Sequence, residues 1–246
     1  MLSLSHITKS FMGRSAVNDI SFDIKRGEVV AFLGPNGAGK TTTMRMITGI
    51  LEPDSGTITC DGHDVWGQRM KAQGLMGYLP EGGPLYGEMT ALSYLGFMSE
   101  TRGIAKAARG DMIELAVKRT SLEDVLQRPI DTLSKGFRRR VALAGAILHD
   151  PPILILDEPT DGLDPNQKRA ARALIASLSP NRVILISTHV LEEVSAVCSR
   201  VLVVAKGVIV ADETPAELAG RTPSHRLEDA FQALTEPETF FAGHVA

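Results

Sequence analysis

Cysteine is almost missing from this chain: two in 246 residues, too few for a disulfide framework. Cys60 and Cys198 are widely separated and have no neighbouring His or Cys at metal-ligand spacing. They read as small buried hydrophobes in a reducing compartment. Charge of one sign is also lacking. A net charge of −3 leaves no basic footprint for nucleic acid, so no nucleic-acid partner is expected. Long apolar runs are absent too. The longest, Ile153–Leu156 and Val201–Ala205, are strand-sized and far short of a membrane span. Met1-Leu2-Ser3-Leu4 lacks a basic segment followed by an apolar one, so no signal peptide is expected. Internal repeats and low-complexity stretches are missing as well. What the chain does have is 43% hydrophobic residues, enough to bury a substantial core in one large domain, or a core with a subdomain.

Its most informative segment is Gly34-Pro35-Asn36-Gly37-Ala38-Gly39-Lys40-Thr41. The pattern is G-x-x-x-x-G-K-[ST], between an apolar strand expected at Glu28–Leu33 and a helix expected at Thr42–Gly49. Backbone N–H groups of such a turn, aimed inward at a helix N-terminus, cradle the oxygens of a di- or triphosphate. Lys40 adds positive charge toward the β- and γ-phosphates, and the Thr41 hydroxyl is placed to ligate Mg²⁺. Nucleotide contacts are therefore expected from each residue of this loop and from Thr42, which opens the helix.

The first sixty residues read as β-rich, with strands at Leu2–Ile7, Ile20–Ile24, Glu28–Leu33 and Gly56–Cys60 and a turn at Asp61-Gly62. After a short strand at Leu75–Leu79 the pattern turns helical, at Met89–Arg102, Ala105–Thr120 and Lys135–His149. Ser121-Leu122-Glu123-Asp124 fits a capping box that would open another short helix. Alternation then returns: strands at Ile153–Asp157, Arg182–Ser187, Arg200–Ala205 and Val208–Ala211, with helices at Gln167–Leu178 and Val190–Val197. Thr214-Pro215-Ala216-Glu217 supplies a cap, a first-turn Pro and a box Glu, which start a further helix. Strand–helix alternation with near-continuous apolar strands implies a mostly parallel sheet covered on both faces. The helical segment, about 82–149, is then an insertion into an α/β core of about 1–81 and 150–222. A C-terminal helix at about 224–236 closes one domain, 1–236, and 237–246 reads as a frayed tail.

Ile153–Leu156 runs into Asp157-Glu158. In a phosphate-loop enzyme such a strand is expected beside the one that feeds the loop. Asp157 would then be the Mg²⁺ partner of Thr41, through water, and Glu158 would accept a proton from an attacking water. Leu133-Ser134-Lys135-Gly136-Phe137-Arg138-Arg139-Arg140 opens the next helix upstream, with Ser134 as N-cap and Gly136 letting a phosphate approach first-turn N–H groups. Arg138–Arg140 is read most simply as a solvated helix face, with a contact to a partner chain's phosphate as the alternative.

Placed just upstream of the carboxylate strand, this segment resembles the signature motif of the ATP-binding-cassette (ABC) ATPases. The resemblance covers roughly Leu2 to Leu234 and rests on an ordered set: phosphate loop, Glu81 region, signature, carboxylate strand, Asp161-Gly162-Leu163-Asp164 and His189. It implies a phosphate-loop ATPase core with an N-terminal antiparallel β subdomain and an inserted α-helical subdomain. It also implies ATP and Mg²⁺ as ligands, and paired subunits sandwiching two ATP molecules. By that likeness His189 contacts the γ-phosphate and orients the water, Phe11 stacks on adenine, and Asp161–Asp164 is a loop crossing the dimer interface. Ser134 and the Gly136 amide would contact the γ-phosphate held by the opposite chain. Fifteen residues at ~1.5 Å each put Ser134 on the order of 20 Å from the helix's far end, close to where the carboxylate strand begins, so two chains arranged head to tail are expected.

Three positions depart from the family's usual residues. Glu81 stands where Gln is common and could approach Mg²⁺ through water; Phe137 replaces a polar residue; Asp161 replaces Ser. Gly83-Pro84-Leu85-Tyr86 and Leu227-Glu228-Asp229-Ala230-Phe231 look like the exporter-type (ABC-2) branch. The implied function is an ATPase subunit, a homodimer or paired with a related chain, that drives separate transmembrane permease subunits. It would sit on the cytoplasmic face of the membrane and receive a coupling helix near Glu81 and Tyr86–Tyr94. A soluble family member acting in translation or DNA repair is the alternative. Such members usually carry two cassettes in one chain, a long coiled coil or a basic face, none of which is seen here. A regulator without turnover is the third reading, opposed by the presence of Lys40, Asp157, Glu158 and His189.

Overall fold

The computed structural model describes residues 1–83 and 85–236; Pro84 and the 237–246 tail lie outside it. β1 (Leu2–Phe11) and β2 (Arg14–Ile24) form a hairpin closed by Met12-Gly13, both at positive φ, as a two-residue turn matched to strand twist requires. β1 also pairs antiparallel with β4 (Ser55–Cys60), which pairs with the short β5 (His63–Asp64) across the Asp61-Gly62 turn. Both hairpin strands run longer than the sequence pattern suggests, and this places Phe11 at the hairpin tip.

The second sheet contains β3 (Val29–Leu33), β6 (Met76–Leu79), β7 (Ile153–Asp157), β8 (Val183–Thr188), β9 (Arg200–Ala205) and β10 (Val208–Glu213) in the order β10-β9-β3-β8-β7-β6. All pairings are parallel except β9–β10. The carboxylate strand β7 is therefore not beside β3; β8 lies between them. Chain order cannot reveal this, because β8 follows β7 in the chain yet pairs with both β7 and β3. Strands β3, β7 and β8 are buried at every residue, and their side chains feed cores on both faces. Val30, Phe32, Ile153, Ile155, Val183 and Leu185 pack toward the antiparallel sheet. Leu154, Leu156, Ile184 and Ile186 pack toward the helices.

The helices are α1 (Lys40–Ile47), α2 (Arg69–Gly74), α3 (Ala91–Thr101), α4 (Arg109–Thr120), α5 (Lys135–Ile147), α6 (Pro165–Leu178), α7 (Leu191–Val197), α8 (Pro215–Ala219) and α9 (Leu227–Thr235). Thr214 and Glu217 form the expected box at α8. Ser121 does not cap a helix start. It ends α4 in the left-handed region at φ 51°, and the turn that follows, Glu123–Val125, is 3₁₀ without a side-chain cap. A serine two residues ahead of an acidic pair satisfies the box pattern, but here α4 keeps Ser121 as its own C-cap. Among the described residues no helix is long and apolar enough to cross a membrane. Burial pushes the thiols of Cys60 and Cys198 up to about 12, as inert cysteines require.

Candidate active site

Parallel strands carry their C-terminal ends to one edge, and four of these ends bear the candidate groups. β3 delivers the loop Gly34–Gly39, β6 leads to Glu81, β7 ends on Asp157 and continues to Glu158, and β8 leads to His189. Loop–helix junctions at that edge are where open α/β sheets bind ligands. A cavity of about 500 Å³ there is lined by Phe11, Ala16, Asn36, Gly37, Gly39, Lys40, Thr41, Thr42, Glu81 and Glu158.

The loop is held by its own chemistry. Lys40 is buried and donates from Nζ to the carbonyls of Gly34 (2.7 Å) and Pro35 (3.2 Å). Burial lowers its pKa, while Glu158, Asp157 and Glu81 oppose the shift. Gly39 caps α1 at φ 101°, and a Cβ there would sit 2.4 Å from the Ala16 carbonyl. Only glycine fits that approach. Ala38 is buried, and its carbonyl accepts from Gly207 N. Phe11 is about half exposed, with the Lys9 ammonium 5.9 Å from its ring centroid.

Asp157 is 1% exposed, and the Ser187 hydroxyl lies near its carboxylate but is too poorly aligned for a full hydrogen bond. Burial raises its pKa, Glu81 and Glu158 reinforce this, and Ser187 and Arg139 oppose it. An orphaned buried carboxylate is costly unless a cation compensates it. No three His, Cys, Asp or Glu side chains cluster as a metal cage among the described residues. The donor set thus fits a hard ion held jointly by Asp157, the Thr41 hydroxyl, water and phosphate oxygens.

Glu158 sits at φ 50° with its N–H on the Ser187 carbonyl at 2.9 Å. Its Oε1 lies 2.9 Å from His189 Nδ1, so carboxylate and imidazole meet at the cavity's edge. Ser134 caps α5, its hydroxyl accepting from Phe137 N at 3.3 Å, and it is exposed and away from the cavity lining. Gly136 is buried under Gln167, whose Oε1 stands 2.3 Å from where a Cβ would be. Asp164 caps α6 in a full box with Gln167. The third departure, Asp161, accepts from Lys135 Nζ at 2.9 Å.

Arg138–Arg140 is not a solvated face. Arg139 is 7% exposed and donates to four backbone carbonyls, those of Pro80, Asp157, Glu158 and Pro159. Arg140 stacks on Phe137 with 4.2 Å from its guanidinium carbon to the ring centroid. Only Arg138 is exposed. The helical period would have found Arg139, since it shares the buried stripe of α5 with Gly136 and Leu143. Ala16, which lines the cavity, carried no comparable signal.

A family model described as ABC transporter matches residues 17–161. The ABC transporter ATP-binding protein NatA of Bacillus subtilis is 38% identical over 216 residues, covering 85% of this chain and 88% of that protein. Nod factor export ATP-binding protein I of Burkholderia orbicola is 34% identical over 215 residues, covering 87% and 71%. A solved ATP-binding subunit of an ABC transporter has a TM-score of 0.87 at 27% identity, covering 95% of this chain and 99% of that one. With the phosphate loop, carboxylate strand and histidine converging on one edge of this fold, the chain belongs to the ABC transporter family, as an ATP-binding and ATP-hydrolysing subunit.

Proposed function

We propose that this chain powers export by closing head to tail, with a second copy or a related chain, over two Mg²⁺–ATP. The observation that carries the pairing is the composition of the cavity. Phe11, Asn36, Gly37, Gly39 to Thr42, Glu81 and Glu158 line it, whereas the exposed Ser134 does not. In the closed pair, Ser134 and the Gly136 amide of one chain meet the γ-phosphate held by Lys40 and the loop amides of the other. Residues 1–236 act as one ATPase unit.

Glu158 Oε accepts a proton from the attacking water. His189, in hydrogen-bond range of that carboxylate, fixes its aim and faces the terminal phosphoryl group. Lys40 holds the β- and γ-phosphates, and Phe11 stacks on the adenine. Mg²⁺, held by Thr41 and Asp157 with Glu81 nearby, supplies charge neutralisation at the phosphates when bound. Hydrolysis reopens the pair and works separate transmembrane permease subunits at the cytoplasmic face of the membrane. Export is favoured by the Nod factor export relative. The exposed Tyr86–Phe97 pair, edge to face at 5.6 Å, offers an aromatic surface for a permease's coupling helix.

The test uses Glu158→Gln, which removes the proposed base and should leave bound ATP uncleaved. With ATP and Mg²⁺ it should elute as a dimer, revert to monomer in EDTA, and lose dimerisation when Ser134→Arg is added while each monomer still binds ATP. A variant that stays monomeric with ATP and Mg²⁺, even beside a solubilised permease, overturns the proposal.

A further inference from the structure

Arg139 is a buried cation whose hydrogen bonds all go to main chain. Nη2 donates to the carbonyls of Asp157 and Glu158, the latter at 2.5 Å; Nε reaches Pro159 O at 3.4 Å and Nη1 reaches Pro80 O at 2.8 Å. Asp157, Asp161, Glu158 and Glu81 surround it electrostatically, yet it forms no ion pair with any described residue. Its donors therefore hold two backbone segments. One is the turn bearing Asp157 and Glu158; the other is the residue just before Glu81. The side chain comes from α5, a little over one turn beyond Ser134.

The held turn is strained. Glu158 lies at φ 50°, a left-handed conformation that costs a non-glycine residue about 1–2 kcal/mol. Two backbone bonds close it, Glu158 N to Ser187 O at 2.9 Å and Asp161 N to Glu158 O at 3.1 Å. Relaxation of that φ would swing the carboxylate away from His189 and the cavity. A planar guanidinium with five donors can span both segments at once; an ammonium cannot.

We propose that Arg139 is a positioning residue for ATP hydrolysis: from the helix that begins at Ser134 it clamps the Asp157–Pro159 turn and Pro80, and so aims Glu158 at the cavity. The inference rests on Glu158 acting as the base. One consequence is that the helix presented to the partner's nucleotide also sets the chain's own carboxylate, which links the two sites of a closed pair.

The test compares Arg139→Lys and Arg139→Gln in the full chain with wild type. Fold is read by thermal melting, nucleotide binding by a fluorescent ATP analogue in EDTA, and hydrolysis by phosphate release. Because misplacing a catalytic group by ~1 Å costs on the order of 100-fold, kcat should fall ~10–100-fold in both variants. KM and analogue affinity should stay within about twofold, and Lys should fail to rescue. Over a Glu158→Gln background Arg139→Lys should lower residual kcat no further. Near-wild-type kcat in Arg139→Lys while Glu158→Gln is inactive overturns the clamp alone. Equal losses in both backgrounds overturn action through Glu158. Full activity in Glu158→Gln itself overturns the base assignment, and the clamp with it.

Discussion

Replacing Asp157 with Asn should strengthen the ligand-free protein and disable the loaded one. The wild-type carboxylate is 1% exposed; burial raises its pKa, Glu81 and Glu158 push it further up, and only Ser187 and Arg139 oppose them. Burying a carboxylate costs several kcal/mol, only part of which Ser187 and Arg139 offset. Asn has the same shape but leaves an unpartnered amide costing about 1–3 kcal/mol, and it forfeits attraction to Arg139. The net expectation is a gain of about 1–3 kcal/mol, which at ~2–4 °C per kcal/mol for a chain of this size raises Tm by roughly 2–12 °C in EDTA. Ligand binding works in the opposite direction. Wild type at ATP and Mg²⁺ ~100-fold above Kd gains about 2.7 kcal/mol, and the variant should show no increment when Mg²⁺ is added to ATP. Differential scanning fluorimetry in EDTA, ATP–EDTA and ATP–Mg²⁺ reads both halves. A lower Tm for Asp157→Asn in EDTA would refute the reading of Asp157 as a strained, waiting ligand. An intact Mg²⁺ increment would refute its role at the metal.

Two further outcomes follow from local geometry. His149 is held neutral: Nε2 lies 3.1 Å from the Met76 carbonyl, Nδ1 is buried without a partner, and burial lowers its pKa from 6.5 to about 4. Since the unfolded ring takes a proton that the folded ring refuses, this site's contribution is intact above the unfolded pKa and is lost as pH falls from 6.5 toward 4. Between pH 7 and pH 5 the loss is about 1–2 kcal/mol, the lower figure allowing for solvent screening. Urea titrations of His149→Gln, which keeps a donor toward Met76, should show a shallower acid slope than wild type; parallel slopes would contradict it. In the phosphate loop, Gly37→Ala meets only backbone strain at φ 82°, whereas Gly39→Ala at φ 101° also drives a Cβ to 2.4 Å from the Ala16 carbonyl. Gly37→Ala should cost about 1–2 kcal/mol and Gly39→Ala clearly more, with a larger loss of ATP affinity. The reverse order in denaturant and binding titrations would sink the steric account.

Legibility in the sequence tracked how local the determinant was. The phosphate loop, the Asp157-Glu158 strand end and the Thr214–Glu217 cap are each fixed within a few residues, and each is where the pattern puts it. Strand order is non-local: nothing near Ile153 says that Val183–Thr188 will slide between it and the loop strand. Phe11 reached the cavity by way of the Met12-Gly13 turn, in a hairpin whose outer half alternates too weakly to be read. Arg139 was misjudged because a run of three arginines suggests solvent, whereas the carbonyls that bury it come from residues far along the chain. Ser121 failed for a subtler reason, since one serine can serve either the helix before it or the turn after it, and tertiary packing chose the former.

The segments expected at a dimer interface are braced against each other within one chain. Lys135 crosses Gly162, where a Cβ would lie 2.3 Å from its Cε, and pairs with Asp161 at 2.9 Å. Gln167 covers Gly136 while closing the box with Asp164. The start of α5 and the 161–164 loop thus form one surface, and the smallness of Gly136 is demanded by Gln167 before any phosphate arrives. A partner's nucleotide pressing on Ser134 would therefore load the 161–164 loop through Lys135 and Gln167, and the Glu158 turn through Arg139. In the proposed closed pair, side chains already in contact would join one site to the carboxylate of the other.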